Sequence, residues 1–277
     1  MTNVGRVGAA ALGIVTAVTL AVGLRTSRTA EPDLPPMDRP QVRQMLFQLI
    51  QPVALANCDL KRFGEANDGG YILCGNLLGN VKAGYSYGIS GYDGWGCEVS
   101  TQLKIKIHQY DCFDTRLPKP CPGGDTEFHP ECVAPKSFTE SERIFDSMAG
   151  QFHKNRDAGK RLVVKMDVEG AEWDSLEQAS DETLDQIDQL AIEMHYVENP
   201  QYIRVVQRLK KQFHVAHLHF NNFSCRSGLE PFPAWAYEVL FVNKRLTTAL
   251  PNAAPSRSTS VDMPNNPKAP DCQTTGP

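Results

Sequence analysis

From residue 84 to residue 242 the chain alternates between short β-branched apolar runs and longer stretches in which apolar side chains recur every three or four positions. The first pattern is that of a buried strand and the second that of an amphipathic helix. Strands are expected at 84–89, 105–111, 162–167, 189–195, 214–220 and 236–242, and the clearest helices at 98–104, 139–155, 171–179 and 201–211. In the last of these helices Ile203, Val206 and Leu209 mark the apolar stripe. Alternation of this kind builds a mostly parallel sheet with helices on both faces. The final two strands are joined by the proline-containing loop 225–235 without a helix, which predicts an antiparallel finish.

The sharpest boundary lies in Val163-Val164-Lys165-Met166-Asp167-Val168-Glu169-Gly170-Ala171-Glu172-Trp173, where an apolar run ends in carboxylates and a glycine. It reads as strand, turn and helix. Asp167 and Glu169 then stand at the carboxyl end of a parallel strand, the edge at which open α/β sheets bind their ligands. Glu172 reads as the first turn of the helix, where an acid suits the helix dipole.

The run Tyr85-Ser86-Tyr87-Gly88-Ile89 opens into Ser90-Gly91-Tyr92-Asp93-Gly94-Trp95-Gly96-Cys97-Glu98, with glycines at 88, 91, 94 and 96. A loop so poor in side chains lets backbone approach a ligand ahead of a helix N-terminus. Its spacing is neither GxGxxG nor that of a P-loop, so a pyrophosphate cradle and an NTPase are not indicated. The second strand ends in Asp111. A carboxylate at that position accepts hydrogen bonds from ribose hydroxyls in nucleoside-binding sheets; the competing use of an Asp there is a helix N-cap.

Composition narrows the setting. The chain has 277 residues, 41% of them apolar, and a formal net charge of −4 without a Lys/Arg-rich run, which excludes disorder and speaks against nucleic acid as a partner. Residues 7–24 are uncharged and flanked by Arg6 and Arg25, and they fit a signal anchor and a cleaved signal peptide equally well. Membrane contact is expected through this segment. Residues 25–40 hold four prolines and read as a linker, 41–246 as the folded domain, and 247–277 as a disordered tail. Eight cysteines, an even number with no CxxC pair, favour disulfides and the secretory pathway, either in the ER or Golgi lumen or as a secreted protein.

Taken together, Arg62-Phe63-Gly64, Asp68-Gly69-Gly70-Tyr71-Ile72-Leu73-Cys74, Tyr85-Ser86-Tyr87-Gly88-Ile89, His108-Gln109-Tyr110-Asp111, Lys165-Met166-Asp167-Val168-Glu169-Gly170-Ala171-Glu172, Ile192-Glu193-Met194-His195 and Glu238-Val239-Leu240-Phe241-Val242-Asn243-Lys244 carry a resemblance. The sequence resembles the FkbM-like and methyltransferase-like families of class I S-adenosylmethionine-dependent methyltransferases, most closely the branch with a secretory leader and a type 22 methyltransferase domain. The resemblance spans about residues 60 to 245. It implies an α/β, Rossmann-like, seven-stranded and mostly parallel sheet with an antiparallel last strand, and S-adenosylmethionine as cofactor. It places Gly88 and its neighbour Ser90 along the methionine portion, Asp111 at the ribose, Asp167 at the reacting end, and Glu98 at the cofactor's ammonium. The region 115–135, with five prolines and two cysteines, departs from the pattern and leaves 128–133 for the third strand.

The expected reaction is methyl transfer to a hydroxyl or similar nucleophile of a small molecule, glycan or peptide. It requires alignment and, for a hydroxyl, a base. His195 is the candidate base, with Glu169 second; His195 also fits a buried, satisfied histidine. No metal is required, although His195, His219 and Asp167 would be a ligand set if they converged. Tyr71, Tyr92 and Trp95 are candidates for stacking on a ring. A non-catalytic Rossmann-like binding domain and a nicotinamide-dependent oxidoreductase are the alternatives, the latter disfavoured by the missing GxGxxG.

Overall fold

In the computed structural model, residues 34–255 and 261–272 are described. The hydrophobic run 7–24 and most of the expected linker lie outside them, and no described helix is long and apolar enough to cross a membrane.

The chain enters through helix α1 (Arg39–Leu49), which starts where the Asp38 carboxylate and the Gln41 side chain cap each other's backbone N–H groups. An antiparallel hairpin follows, β1 (Leu60–Phe63) with β2 (Tyr71–Cys74). Then come β3 (Ala83–Tyr87), α2 (Gly94–Leu103), β4 (Lys106–Tyr110), β5 (Asp125–His129), β6 (Glu131–Val133), β7 (Phe138–Glu140), β8 (Arg143–Asp146) and α3 (Met148–Lys154). The second half runs β9 (Leu162–Met166), α4 (Glu172–Gln178), α5 (Asp181–Asp185), β10 (Ile187–His195), α6 (Pro200–Gln212), β11 (Phe213–Phe220) and β12 (Ala236–Asn243).

Seven strands form the central sheet in the order β11-β12-β10-β9-β3-β4-β5, in a mixed α/β architecture. Neighbours from β10 to β5 are parallel, while β12 is antiparallel to both β10 and β11. The chain builds outward from β3 through β4 to β5, returns to β9 on the other side of β3, and continues to β10. The order therefore reverses between β3 and β9, and a crevice opens outside the carboxyl ends of the strands at such a point.

All six expected strands form, including the antiparallel finish. The third strand is displaced. It occupies Asp125–His129, and Pro130, which has no N–H to give to a ladder, separates it from β6 in a second small sheet. The helix expected over 139–155 shrinks to α3, because 138–146 form the hairpin β7–β8. Its two-residue turn puts Ser141 and Glu142 at φ 48° and 65°, the left-handed geometry of a type I′ turn, without the Asn-Gly that usually signals one.

One face of the sheet packs Val163, Ala191, Leu240 and Val242 under the β1–β2 hairpin and α2, with Ile72, Leu73, Trp95 and Val99 completing the cluster. Gln189 ties β10 to the hairpin, its amide accepting from Cys74 N at 2.8 Å and donating to Cys74 O at 2.9 Å. Disulfides join Cys58 to Cys74, Cys97 to Cys121, Cys112 to Cys132, and Cys225 to Cys272. With every cysteine paired, the domain suits an oxidising, secreted or lumenal environment.

The tail expected to be disordered is docked where it is described. Cys272 is bonded to Cys225, Asn265 is buried against Glu238, and Asp262 lies 2.9 Å from His219. Polar composition hides this, because the anchoring is mainly polar and covalent, with Val261 adding an apolar contact to the cluster under the hairpin.

Candidate functional site at the sheet reversal

A cleft of about 870 Å³ opens at the carboxyl ends of β3, β4 and β9. Gly88, Ser90, Asp111, Asp167 and Glu169 all line it, with Phe113, Val133, Phe145 and Val168 as apolar walls. Its size is that of a site for a small organic ligand. Tyr87, which also lines it, is buried with its hydroxyl lacking a hydrogen-bond partner among the described residues.

Gly88 is required where it stands. At φ +75° a Cβ would lie 1.7 Å from the Asp167 carbonyl oxygen, so only glycine lets the exits of β3 and β9 touch. Lys165 Nζ secures the same junction by donating to Gly88 O at 2.5 Å and Tyr87 O at 3.3 Å. Three non-glycine residues at this edge, Ser90, Glu169 and Tyr196, also hold positive φ. Strain of this kind persists where the surroundings over-determine the backbone, and it gathers at functional sites.

Asp111 reaches the cleft, but it is not the cap of a helix. Its Oδ2 accepts Ile89 N at 3.2 Å and Ser90 N at 2.8 Å, and its Oδ1 accepts Phe113 N and Asp114 N, both at 2.9 Å. The carboxylate thus clamps the loops after β3 and β4 together, filling about the four acceptor positions it has. A ribose at Asp111 must share or displace these bonds. The helix cap belongs to Asp93, which accepts Gly96 N at the start of α2.

The second group of residues surrounds His195, at the last position of β10. Its Nδ1 is 3.1 Å from Glu172 Oε1, and its Nε2 is 3.5 Å from Glu169 Oε2, 3.8 Å from Asp167 Oδ1 and 3.9 Å from Glu193 Oε1. Burial opposes charge on the imidazole, but its hydrogen bond to Glu172 and the charges of Glu172, Glu193 and Asp167 outweigh it and raise the pKa to about 9. At neutral pH the ring is therefore an imidazolium, which donates protons and does not accept them. This changes the role expected for His195. Tyr71 OH donates to Asp167 Oδ2 at 3.0 Å, so β2 also reaches the site.

Glu172 is the residue the sequence concealed. It is fully buried, and besides the imidazole it accepts His195 N at 2.8 Å and, through Oε2, Gly170 N at 2.8 Å. Beside it Trp173 Nε1 donates to His195 O at 2.7 Å, so the first two residues of α4 fix the end of β10. Glu193 and Glu238 are likewise concealed, inside strands. They are register partners on β10 and β12, both buried, and burial pushes each carboxyl upward, reinforced at Glu193 by Asp167 and Glu238. An acid inside an otherwise apolar strand was the available signal in both cases.

Other expected residues go elsewhere. Glu98 does not line the cleft; its Oε2 accepts Gly64 N at 2.8 Å and its Oε1 accepts from Gln102, steadying the N-terminal hairpin. Trp95 is buried in the apolar cluster, Tyr71 is occupied by Asp167, and Tyr92 is exposed. His195, His219 and Asp167 do not converge, because β12 stands between β10 and β11 and His219 pairs with Asp262 and Asn265. The donor atoms of Asp167, Glu169 and His195, by contrast, lie within 4.8 Å of one another, but with His195 an imidazolium the group is an ion-pair cluster, since a cation could take only the two carboxylates. Beside them Tyr196, half exposed, stacks on Trp235 with ring centroids 5.8 Å apart.

No protein-family model matches this chain, and no curated protein matches it.

Proposed function

We propose that this domain is a Rossmann-like, class I methyltransferase that binds S-adenosylmethionine in the cleft and methylates an acceptor held against Tyr196 and Trp235. The observation that carries the reading is the cleft at the β3/β9 reversal, bordered by Gly88, Asp111 and Asp167 from three adjacent strand ends. The residues fit the cofactor. The cleft is large enough, Phe113, Val133 and Phe145 offer apolar surface to a base, and Asp167 and Glu169 offer negative charge to a sulfonium and an ammonium. Asp111 fits less simply, since a ribose diol has to exchange with its backbone partners.

When bound, the cofactor supplies an electrophilic methyl group. The chain's own contribution is alignment of the acceptor and exclusion of water. Because His195 is protonated, the proton of an acceptor hydroxyl goes to Glu169, whose carboxylate faces His195 Nε2 and is 80% exposed. The imidazolium then holds the cluster of acids in place. Aromatic pairs such as Tyr196 and Trp235 suit the flat faces of sugars and rings, which supports a glycan, peptide or small-molecule acceptor. The paired cysteines and the apolar run 7–24 support a lumenal or membrane-anchored enzyme.

Calorimetry of the full chain with S-adenosylmethionine and with NAD tests this. The sulfonium cofactor is expected to bind and NAD to give no heat, with binding weakened in Asp111→Ala and turnover abolished in a folded Asp167→Ala variant. Binding of NAD alone would turn the reading toward an oxidoreductase, and silence for both would leave a binding module.

A further inference from the structure

A second group of chemistry-bearing side chains lies at the β4/β5 edge of the sheet. His108 on β4 and Glu127 on β5 are register partners, and His129 pairs with Tyr110 two positions on, so all three project from the same face. His108 Nδ1 lies 3.0 Å from His129 Nε2 and 3.8 Å from Glu127 Oε2, and one donor atom from each residue falls within 4.8 Å of the others. We propose that His108, Glu127 and His129 bind a divalent transition metal of the zinc class.

His108 is backed by a buried carboxylate. His108 Nε2 faces Asp157 Oδ2 at 3.2 Å, and that carboxylate is itself held by Tyr85 OH at 3.0 Å and Lys160 Nζ at 2.6 Å. In the tautomer with its proton on Nε2, beside Asp157, His108 presents a bare Nδ1, and the Nδ1–His129 Nε2 hydrogen bond gives way to the metal when His129 also turns a bare nitrogen to it. A carboxylate behind a ligating histidine is the arrangement that fixes ring orientation in metal sites. Ligand atoms about 2.0–2.2 Å from a tetrahedral zinc stand roughly 3.3 Å from one another, so the observed separations need only side-chain adjustment. Lys106 competes for Glu127 at 3.3 Å, but Asp125 lies closer to it at 3.0 Å and keeps it paired when Glu127 turns to the metal.

Two histidines and one carboxylate leave a fourth position for water, since Glu127 stands at the solvent side. The metal would pin edge strand β5 to β4. His129 stacks on Tyr110 with centroids 4.6 Å apart, and Tyr110 lines the cleft, so occupancy would also stiffen one wall of that cleft.

Full-length protein, stripped with a chelator and titrated with zinc chloride by calorimetry, is expected to bind one equivalent here, and cobalt(II) to give the visible bands of a tetrahedral centre. His129→Ala and Glu127→Gln should each abolish both signals in folded protein. Asp157→Asn should weaken zinc binding about 10–100-fold while leaving the ligands in place. Glu169→Gln, in the other cluster, should leave zinc binding unchanged. Absence of binding by folded wild-type protein overturns the proposal, and so does a metal that persists in His129→Ala but is lost in Glu169→Gln.

Discussion

Glu172 Oε1 accepts a hydrogen bond from the backbone N–H of His195 at 2.8 Å and lies 3.1 Å from Nδ1 of the same residue, so one buried oxygen holds both the main chain and the ring. Removing it leaves a buried imidazole among carboxylates with its largest support gone. Glu172→Ala is expected to destabilise the domain by about 3–5 kcal/mol, the scale for stripping one partner from a buried pair. Glu172→Gln keeps an acceptor but not the charge, so it should lower the His195 pKa from about 9, as followed by the imidazole proton resonances in an NMR titration. An unchanged titration in Glu172→Gln would show that Glu193 and Asp167 alone hold the proton.

The same cluster sets a pH dependence. The folded pKa of His195, about 9, exceeds its ordinary 6.5, so the folded state binds the extra proton. Its stabilisation is complete below pH 6.5 and disappears as pH rises through 9, with a ceiling of about 3 kcal/mol. His219 is shifted the same way: burial opposes its charge, but Asp262 and Glu238 more than offset it. Urea midpoints measured between pH 6 and pH 9.5 should therefore fall with rising pH in the wild type. They should fall less in His195→Gln, where the contribution of His219 remains. Equal slopes would remove His195 from the effect.

What could be read from the sequence follows the physics of each segment. Strands β3, β9, β10 and β12 announce themselves because a strand buried in the middle of a sheet reads as a largely apolar run, and edge strand β11 shows instead the alternation of a half-buried strand. Edge elements have no such requirement. Thus the pattern puts the third strand at 128–133 although β5, with Asp125 and Glu127 in it, lies at Asp125–His129, and it gives helix where the exposed hairpin β7–β8 stands. At the site, Gly88, Asp111 and Asp167 were legible as strand-end residues, and they do meet at one cleft. The bonds of Asp111 to the loop after β3 and of Glu172 to His195 join residues 21 to 23 positions apart, and no local pattern encodes them.

The docked tail gives a third test. The Cys225–Cys272 bond closes a separation of 47 residues, for which chain entropy gives about 4 kcal/mol. It holds Asn265 against Glu238 at 2.7 Å and Asp68 at 3.0 Å, and Asn222 against Asn266 N. In a Cys225→Ser/Cys272→Ser variant the segment around Lys268 should become cleavable by trypsin while the sheet remains folded by circular dichroism. Resistance equal to wild type would mean that the polar contacts alone suffice.

The junction between β3 and β9 can be probed with a pair of glycines. Gly88 and Gly91 both sit at positive φ, +75° and +80°, so an alanine at either is strained by a similar amount, roughly 1–2 kcal/mol. They differ in what the added methyl meets. At Gly91 the nearest atom is Asp114 Oδ2 at 3.1 Å, the end of a side chain that can move, whereas at Gly88 it is the Asp167 backbone carbonyl at 1.7 Å. Gly91→Ala should therefore lower the melting temperature by only a few degrees, since 1 kcal/mol corresponds to about 2–4 °C in a domain of this size. Gly88→Ala must either separate β3 from β9 at the point where Asp167 N bonds Tyr87 O at 3.0 Å, or fail to fold. The excess loss in Gly88→Ala over Gly91→Ala measures how tightly the floor of the cleft is built, and equal losses would show that the two strand exits have room to part.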